Sequence, residues 1–286
     1  MKYQFMRFPG GKAKAVTLSY DDGCREDLQF AEIISRHGFK CTFNLNGDGL
    51  KGDRAFSRET IEENFLSKGH EVAVHGYFHR AEGTLRPIEG IQDVLNCRLE
   101  LEHKVGRIIR GMAYPNGGIT RFSNGASYDR VKQYLTDLDI AYARSLGGDN
   151  GLFRMPTDWH NWIPTAHHDN PKLFDYIDSF LNQDLSPAHN LADRHPRLFY
   201  LWGHAFEFAR NKNWDRLDEI CEKLGGKDEV WYATNIEIYD YTKAYESLIY
   251  SADGKMIYNP TVTKIWFDVD GTEYTIEPGQ TITLDI

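Results

Sequence analysis

The sequence predicts an α/β protein: a (β/α) barrel of seven or eight strands with a small C-terminal β appendage. Short apolar runs alternate with longer amphipathic stretches, the order expected of βαβ units and a mostly parallel sheet. About eight such runs fit into roughly 235 residues, which suits a closed barrel better than an open doubly wound sheet. From about Tyr245 the texture becomes β-rich, so the division expected is a barrel over residues 1–243 and an appendage over 244–286.

The elements follow in order. "AVTLSY" (Ala15–Tyr20) is the first barrel strand, and a helix runs from about Arg25 to Arg36. "CTFNLN" (Cys41–Asn46) is the second strand. "SRETIEENFLSKG" opens on a Ser57 cap, carries early glutamates and closes on glycine, which marks a helix. "EVAVHG" is the third strand, Ile88–Val105 a long helix, and "GMAYP" (Gly111–Pro115) the fourth strand. "SYDRVKQYLTDLD" reads as a helix, "AYARSL" as the fifth strand and "LFRMP" (Leu152–Pro156) as the sixth. Lys172–Asn182 and Ala188–Asp193 read as helices, "RLFYLWGH" as the seventh strand, "NWDRLDEICEKLGG" as a helix and "VWYATN" as the last strand. In the appendage, turns are expected at Asp253-Gly254 and Asp270-Gly271.

Composition narrows the partners. The chain has 286 residues, 41% of them apolar, with a net charge of -9 and a pI near 5.7. That balance argues against a nucleic-acid or anionic-membrane partner, and no basic stripe with interleaved aromatics appears. No apolar run reaches membrane-span length, and "MKYQFMRFPGGKAK" lacks the apolar core of a secretory signal. The expectation is a cytoplasmic protein, or a secreted one if a leader has been removed. Cys24, Cys41, Cys97 and Cys221 are scattered without a CxxC, which reads as reduced, buried thiols. Oligomeric state is left open.

The polar residues gather at strand ends. The first strand ends in Asp21-Asp22-Gly23 and the third in His75, with His79 four residues on. The fourth ends in Tyr114-Pro115-Asn116-Gly117, Asp158-Trp159 follows the sixth, and the seventh ends in Gly203-His204. In a parallel barrel these ends meet on one face, where chemistry is done. Two histidines and a carboxylate make a metal site with open positions. Each piece also has a plainer reading: "DDG" as a turn or helix cap, "HGYFH" as ordinary histidines. Without cysteine the donor set favours Zn2+, with Mn2+ or Co2+ as alternatives. If Asp22 holds the metal, Asp21 beside it is placed to take a proton from water. His167-His168 either serve a second site or belong to a loop. Asn44 and Asn46 either meet substrate or bond the barrel rim, and Trp202 is the aromatic expected in a sugar groove.

"LSYDDG", "HGYFH", "AYPNG" and "LWGH" resemble, in order, four short motifs of the polysaccharide deacetylases, also known as carbohydrate esterase family four or the NodB-homology family. The resemblance extends from about Lys14 to Tyr241. It implies a distorted (β/α) barrel whose Asp-His-His metal site removes acetyl groups from N- or O-acetylated sugars. Carried onto this chain, it implies Asp21 as base and Asp22, His75 and His79 as metal ligands. Asn116 N–H would hold the oxyanion, His204 would protonate the leaving group, and Asp158 would tune His204. Tyr114, Pro115, Trp202 and Asn46 would line the carbohydrate. The family's arginine, which pairs with the base, falls on Ala113, so Arg110 or Arg154 is expected to supply it. The histidine motif ends "HR" rather than "HP". Two other readings share these residues: hydrolysis of a non-sugar amide, and a carbohydrate-binding protein that has lost catalysis.

Overall fold

The structure is a computed structural model and describes residues 2–47 and 56–285. From the N-terminus its elements are β1 (Gln4–Arg7), β2 (Lys14–Asp21), α1 (Glu26–Arg36), β3 (Cys41–Leu45), α2 (Arg58–Asn64), β4 (Glu71–Val74) and α3 (Pro87–Val105). β5 (Gly111–Ala113), α4 (Tyr128–Asp137), β6 (Tyr142–Arg144), β7 (Ala166–His167), α5 (Leu173–Leu181), β8 (Arg197–Gly203) and α6 (Ala205–Asn211) follow. Then come α7 (Trp214–Leu224), β9 (Val230–Tyr232) and α8 (Asn235–Glu246). The chain ends in β10 (Ile249–Tyr250), β11 (Met256–Tyr258), β12 (Ile265–Val269), β13 (Thr272–Ile276) and β14 (Thr281–Thr283).

β2 is the hub. Every residue of it is buried, as expected of a parallel strand covered on both faces. β8 runs along it from Lys14 to Tyr20, while β9 pairs with its start and β3 with its end. The sheet runs β6-β5-β4-β3-β2-β8-β7, with β9 added on β2 and every pairing parallel. Residues 162–167 span the gap between its two ends. Trp162 bridges Arg144 at one end, and Ala166 and His167 pair with β8 at the other. The fold is therefore a (β/α) barrel, as the alternation predicts, in the distorted form that the resemblance implies.

Two expected elements are absent. Leu152–Pro156 is not a strand: Phe153 has φ 57, a left-handed turn, and only Arg154 makes an isolated bridge, to Arg197. The two-residue β7 takes the place in the barrel beside β8. Ala188–Asp193 is not a helix. The Asn190 side chain accepts from Ala192 N and Asp193 N at 3.0 and 3.3 Å, and this local turn displaces helical bonding. The helix expected over Ser57–Gly69 does start on its Ser57 cap, then breaks at Phe65 into a short 3-10 turn ending at Gly69, φ 80.

The C-terminal strands form two three-stranded antiparallel sheets, β10-β11-β14 and β1-β12-β13. Asp270 and Gly271, both at positive φ, make the two-residue hairpin turn between β12 and β13. We propose the division at 243/244 with two qualifications: β1 lies on the appendage side of it and α8 crosses it. One apolar cluster joins Met6 and Phe8 to Trp162 and Tyr200 of the barrel and to Ile257, Ile265 and Phe267 of the appendage. All four cysteines are free and buried. No helix among the described residues is long and apolar enough to cross a membrane.

Candidate active site

The strand ends of β2 and β4 bring the expected metal ligands together. Asp22 leaves β2 at φ 81, its N–H held by the Asn44 carbonyl at 3.1 Å. His75 follows β4, and the turn to His79 passes through Gly76 at φ 77. A side chain at Gly76 would put its Cβ 2.6 Å from Asp93 Oδ2, so only glycine fits. Asp93, from α3, accepts from Tyr77 N at 3.0 Å and Phe78 N at 2.8 Å, which fixes the turn. His79 sits at φ 53. Left-handed backbone at non-glycine residues such as Asp22 and His79 costs on the order of 1–3 kcal/mol each and persists where the surroundings demand it.

One donor atom from each of Asp22, His75 and His79 lies within 4.8 Å of the other two. His79 Nε2 is 3.1 Å and His75 Nε2 3.5 Å from Asp22 Oδ1. His75 Nδ1 lies 2.9 Å from the Ala113 carbonyl, to which it donates, leaving the Nε2 lone pair facing Asp22. Burial pulls the His75 pKa down, against the raising effect of Asp21 and Asp22. Burial also works against the Asp22 carboxylate. The hydrogen bond from His79 and the charges of His75 and His204 outweigh it and hold Asp22 well below the usual carboxylate range. A neutral imidazole and an ionised carboxylate are the states that ligate a cation, and the N2O donor set fits a borderline divalent ion.

Asp21 turns the other way. Its Oδ2 is ion-paired with Arg144, and its Oδ1 accepts from Asn44 Nδ2 at 2.8 Å. Neither expected arginine is the partner: Arg110 pairs with Asp240, and Arg154 is exposed near Arg197. Arg144 lies on β6, and the β5–β6 register sets it directly opposite Ala113. The guanidinium thus enters from the neighbouring strand, one lateral step from the motif position. Its carbon lies 4.6 Å from the centre of the Trp202 ring, and that ring also meets His167 and His204 edge-on, at 4.6 and 5.9 Å. Trp202 therefore packs Arg144 in place rather than standing free as a sugar platform.

His204 N-caps α6 and points Nε2 at the same aspartate, 4.0 Å from Asp21 Oδ2. Asp158 is not its partner. It caps the short turn at Trp159–Asn161 by accepting from His160 N at 3.0 Å, and it takes bonds from Tyr128 and Lys132. Glu207, three residues after His204, stands beside the imidazole instead, with Oε2 3.3 Å from Nδ1.

Residues 9–143 match the profile of the family described as polysaccharide deacetylase. Over these residues the chain is similar to the polysaccharide deacetylase family. No curated protein matches the sequence. Among solved structures, the chain is similar to a Mycobacterium smegmatis protein whose polysaccharide deacetylase assignment is itself provisional. The TM-score is 0.58 at 16% identity, over 86% of this chain and 96% of that one. It is also similar to a family 4 acetyl xylan esterase of Clostridium thermocellum bound to cobalt (TM-score 0.49, 15% identity, 80% and 92% covered). A pseudoenzyme of carbohydrate esterase family four from Bacillus anthracis matches with a TM-score of 0.46 at 16% identity, 82% and 68% covered. At 16% identity the Mycobacterium likeness is one of fold.

The remaining polysaccharide deacetylase motif residues take uneven places. Asn116 sits at φ 52 just after the cleft-side turn, and its side chain donates to the His79 carbonyl at 2.8 Å. Tyr114 is buried and donates its hydroxyl to the His160 carbonyl at 2.9 Å. Pro115 is buried against Gly76. Asn46 is buried and donates to the His75 and Gly76 carbonyls at 2.6 and 3.3 Å. The Tyr114 hydroxyl and the Asn46 amide nitrogen thus help to shape the site, while Asn46 Oδ1 has no hydrogen-bond partner among the described residues. Arg144, Asp93 and Glu207 are the site residues missed in the sequence. Only Glu207 had a local signal, the three-residue spacing from His204 that a capping box uses.

Proposed function

We propose that the chain is a metal-dependent hydrolase that removes acetyl groups from an N- or O-acetylated poly- or oligosaccharide. The observation that carries this is the divergence of two adjacent carboxylates. Asp22 faces His75 and His79, while Asp21 faces Arg144, with His204 Nε2 4.0 Å from Asp21 Oδ2. The polysaccharide deacetylase match over residues 9–143 supports the carbohydrate substrate.

Asp22, His75 and His79 would hold a divalent cation, Zn2+ by donor type, with Mn2+ or Co2+ as alternatives. Such an ion supplies Lewis-acid polarisation of an acetyl carbonyl and makes water more acidic. The protein's own groups do the rest. Arg144 and Asn44 fix Asp21, which takes the proton from the attacking water. Asn116 N–H is the backbone donor placed by sequence at the developing oxyanion. His204, protonated, gives its proton to the departing amine or alkoxide. Burial lowers its pKa, but the Glu207 hydrogen bond and the Asp21 and Asp22 charges outweigh that, so the net shift is upward and favours the acid form.

The test is metal analysis of protein purified without chelator, paired with acetate release from a panel of acetylated oligosaccharides. One equivalent of divalent metal and acetate release are expected. Asp22→Ala should remove both, and Asp21→Asn should keep the metal and lose turnover by roughly a hundredfold or more. A folded wild type that binds no divalent metal would overturn the proposal.

A further inference from the structure

Beside His204 lies a second group with the composition of a metal site. His167, His168, Asp169 and Glu207 place donor atoms within 4.8 Å of one another. We propose that this cluster is not a metal site but the apparatus that positions His204, with Glu207 as the positioning residue. The inference rests on the reading of His204 as the proton donor given above.

Hydrogen bonding separates the two clusters. In the Asp22 site, His75 Nδ1 donates to a carbonyl and leaves Nε2 free for a cation. At His167 the pattern is reversed: Nδ1 accepts from Asp169 N–H at 3.1 Å. The neutral ring therefore carries its hydrogen on Nε2, which lies 3.0 Å from Glu207 Oε2 and donates to it. That nitrogen has no lone pair to offer a metal. The carboxylates also have arginines beside them. Arg210 Nη2 is 3.2 Å from Glu207 Oε1, and Arg216 Nε is 3.9 Å from Asp169 Oδ1.

What converges instead is a set of donors on one oxygen. Glu207 Oε2 lies 3.0 Å from His167 Nε2, 3.3 Å from His204 Nδ1 and 3.4 Å from His204 N. His168 closes the far side. It is fully buried, with Nδ1 3.3 Å from the Tyr20 hydroxyl and Nε2 3.5 Å from Glu207 Oε2 and 3.6 Å from Asp169 Oδ1. It sits against Gly203, where a Cβ would come within 2.0 Å of His168 Nδ1. Burial, aided by the neighbouring His167, lowers the His168 pKa to about 3, so it remains a neutral wall. Burial raises the Glu207 pKa, but the hydrogen bonds from His167 and His204 outweigh it and keep the carboxylate ionised far below its usual range. A carboxylate fixed this way commits His204 Nδ1 to donation and leaves Nε2 as the nitrogen facing Asp21 and the cleft. The groups facing His204 are then Asp21 and Asp22 from the end of β2, Glu207 from α6 and His167 from β7.

Glu207 also stands at the third position of α6, where a glutamate or glutamine caps the helix. Glu207→Gln therefore keeps the cap and removes the charge. In the metal-loaded protein this variant should lower kcat roughly tenfold or more with KM within about twofold. The alkaline limb of its pH profile should move down by about one unit, since a neutral partner no longer favours imidazolium. Glu207→Asp should recover part of the loss. His167→Asn keeps the Glu207 charge and should leave the limb nearer to wild type than Glu207→Gln does. Two readouts do not need turnover. NMR titration of labelled histidine should show the His204 ring titrating lower in Glu207→Gln, even if no acetylated sugar proves to be a substrate. Metal analysis should give one equivalent in both wild type and Glu207→Gln. A second equivalent that survives Asp22→Ala and is lost in Glu207→Gln would overturn the inference. So would an unchanged His204 titration in a folded Glu207→Gln.

Discussion

Arg144 shows what one side chain settles at this site. It is 1% exposed and pairs with Asp21, itself 2% exposed. Removing one partner of such a buried pair costs about 3–5 kcal/mol, because the other charge is left without compensation. Arg144→Ala should therefore fall well below wild type in a thermal melt. Arg144→Lys keeps the charge but loses the planar fork and the stacking on Trp202. Its melt should be closer to wild type, its metal content unchanged and its acetate release down by roughly tenfold or more. Wild-type turnover in Arg144→Lys would mean that the pair does not hold the base. The metal triad was legible in the sequence because Asp22 follows one apolar run and His75 and His79 closely follow another. Arg144 was not, because what brings it to Asp21 is the pairing of Ala113 with Arg144 across two strands. No spacing along one chain segment encodes that register.

At the scale of elements, the strands that read correctly are those whose residues are buried on both faces, such as β2 and β3. The elements that did not are marginal in length or ambiguous in period. β7 has two residues, and "IEIYDY" in α8 is rich in strand-favouring isoleucine and tyrosine although Thr234 and Glu237 cap it as a helix. His70 ties three of the legible elements together. Its Nδ1 accepts from Cys41 N–H on β3 at 3.1 Å, and its Nε2 lies 2.9 Å from Ser35 Oγ on α1, just before β4. Burial, with Lys68 and Lys40 nearby, lowers its pKa from 6.5 to about 4. A ring held neutral in the fold but free to protonate when unfolded stabilises the protein above pH 6.5. That stability is lost as the pH falls through the window from 6.5 to 4, at about 1.4 kcal/mol per unit. His70→Asn does not titrate, so its destabilisation relative to wild type should shrink by about 3 kcal/mol between pH 7 and pH 4 in urea unfolding. A difference that stays constant with pH would show that protonation does not break the Cys41 bond.

At the scale of the molecule, the appendage lies on the rim opposite the site. Its cluster includes Ala15 and Leu198, at the starts of β2 and β8, whereas Asp21 and Asp22 lie at the strand ends. In a barrel that rim serves stability rather than chemistry. Ile257, Ile265, Phe267 and Ile276 of the appendage are completely buried in a cluster with Trp162 and Tyr200 of the barrel. Burying each such side chain is worth about 1.5–3 kcal/mol. Asp268 on β12 is completely buried and pairs with Arg194, while Arg7 Nη2 of β1 lies 3.9 Å from its Oδ1. A chain ending at Ser247 would lose those four side chains and leave Arg7 and Arg194 buried beside no counter-charge. The apolar loss alone, roughly 6–12 kcal/mol, matches the whole stability of a typical domain. The chain ending at Ser247 should therefore fail to give a cooperative melt. Asp268→Asn in the full chain should lower the melting temperature while leaving the metal equivalent of the distant rim in place. A soluble 1–247 chain that melts cooperatively and still binds one divalent ion would make the barrel independent, and the appendage an addition to it rather than part of its core.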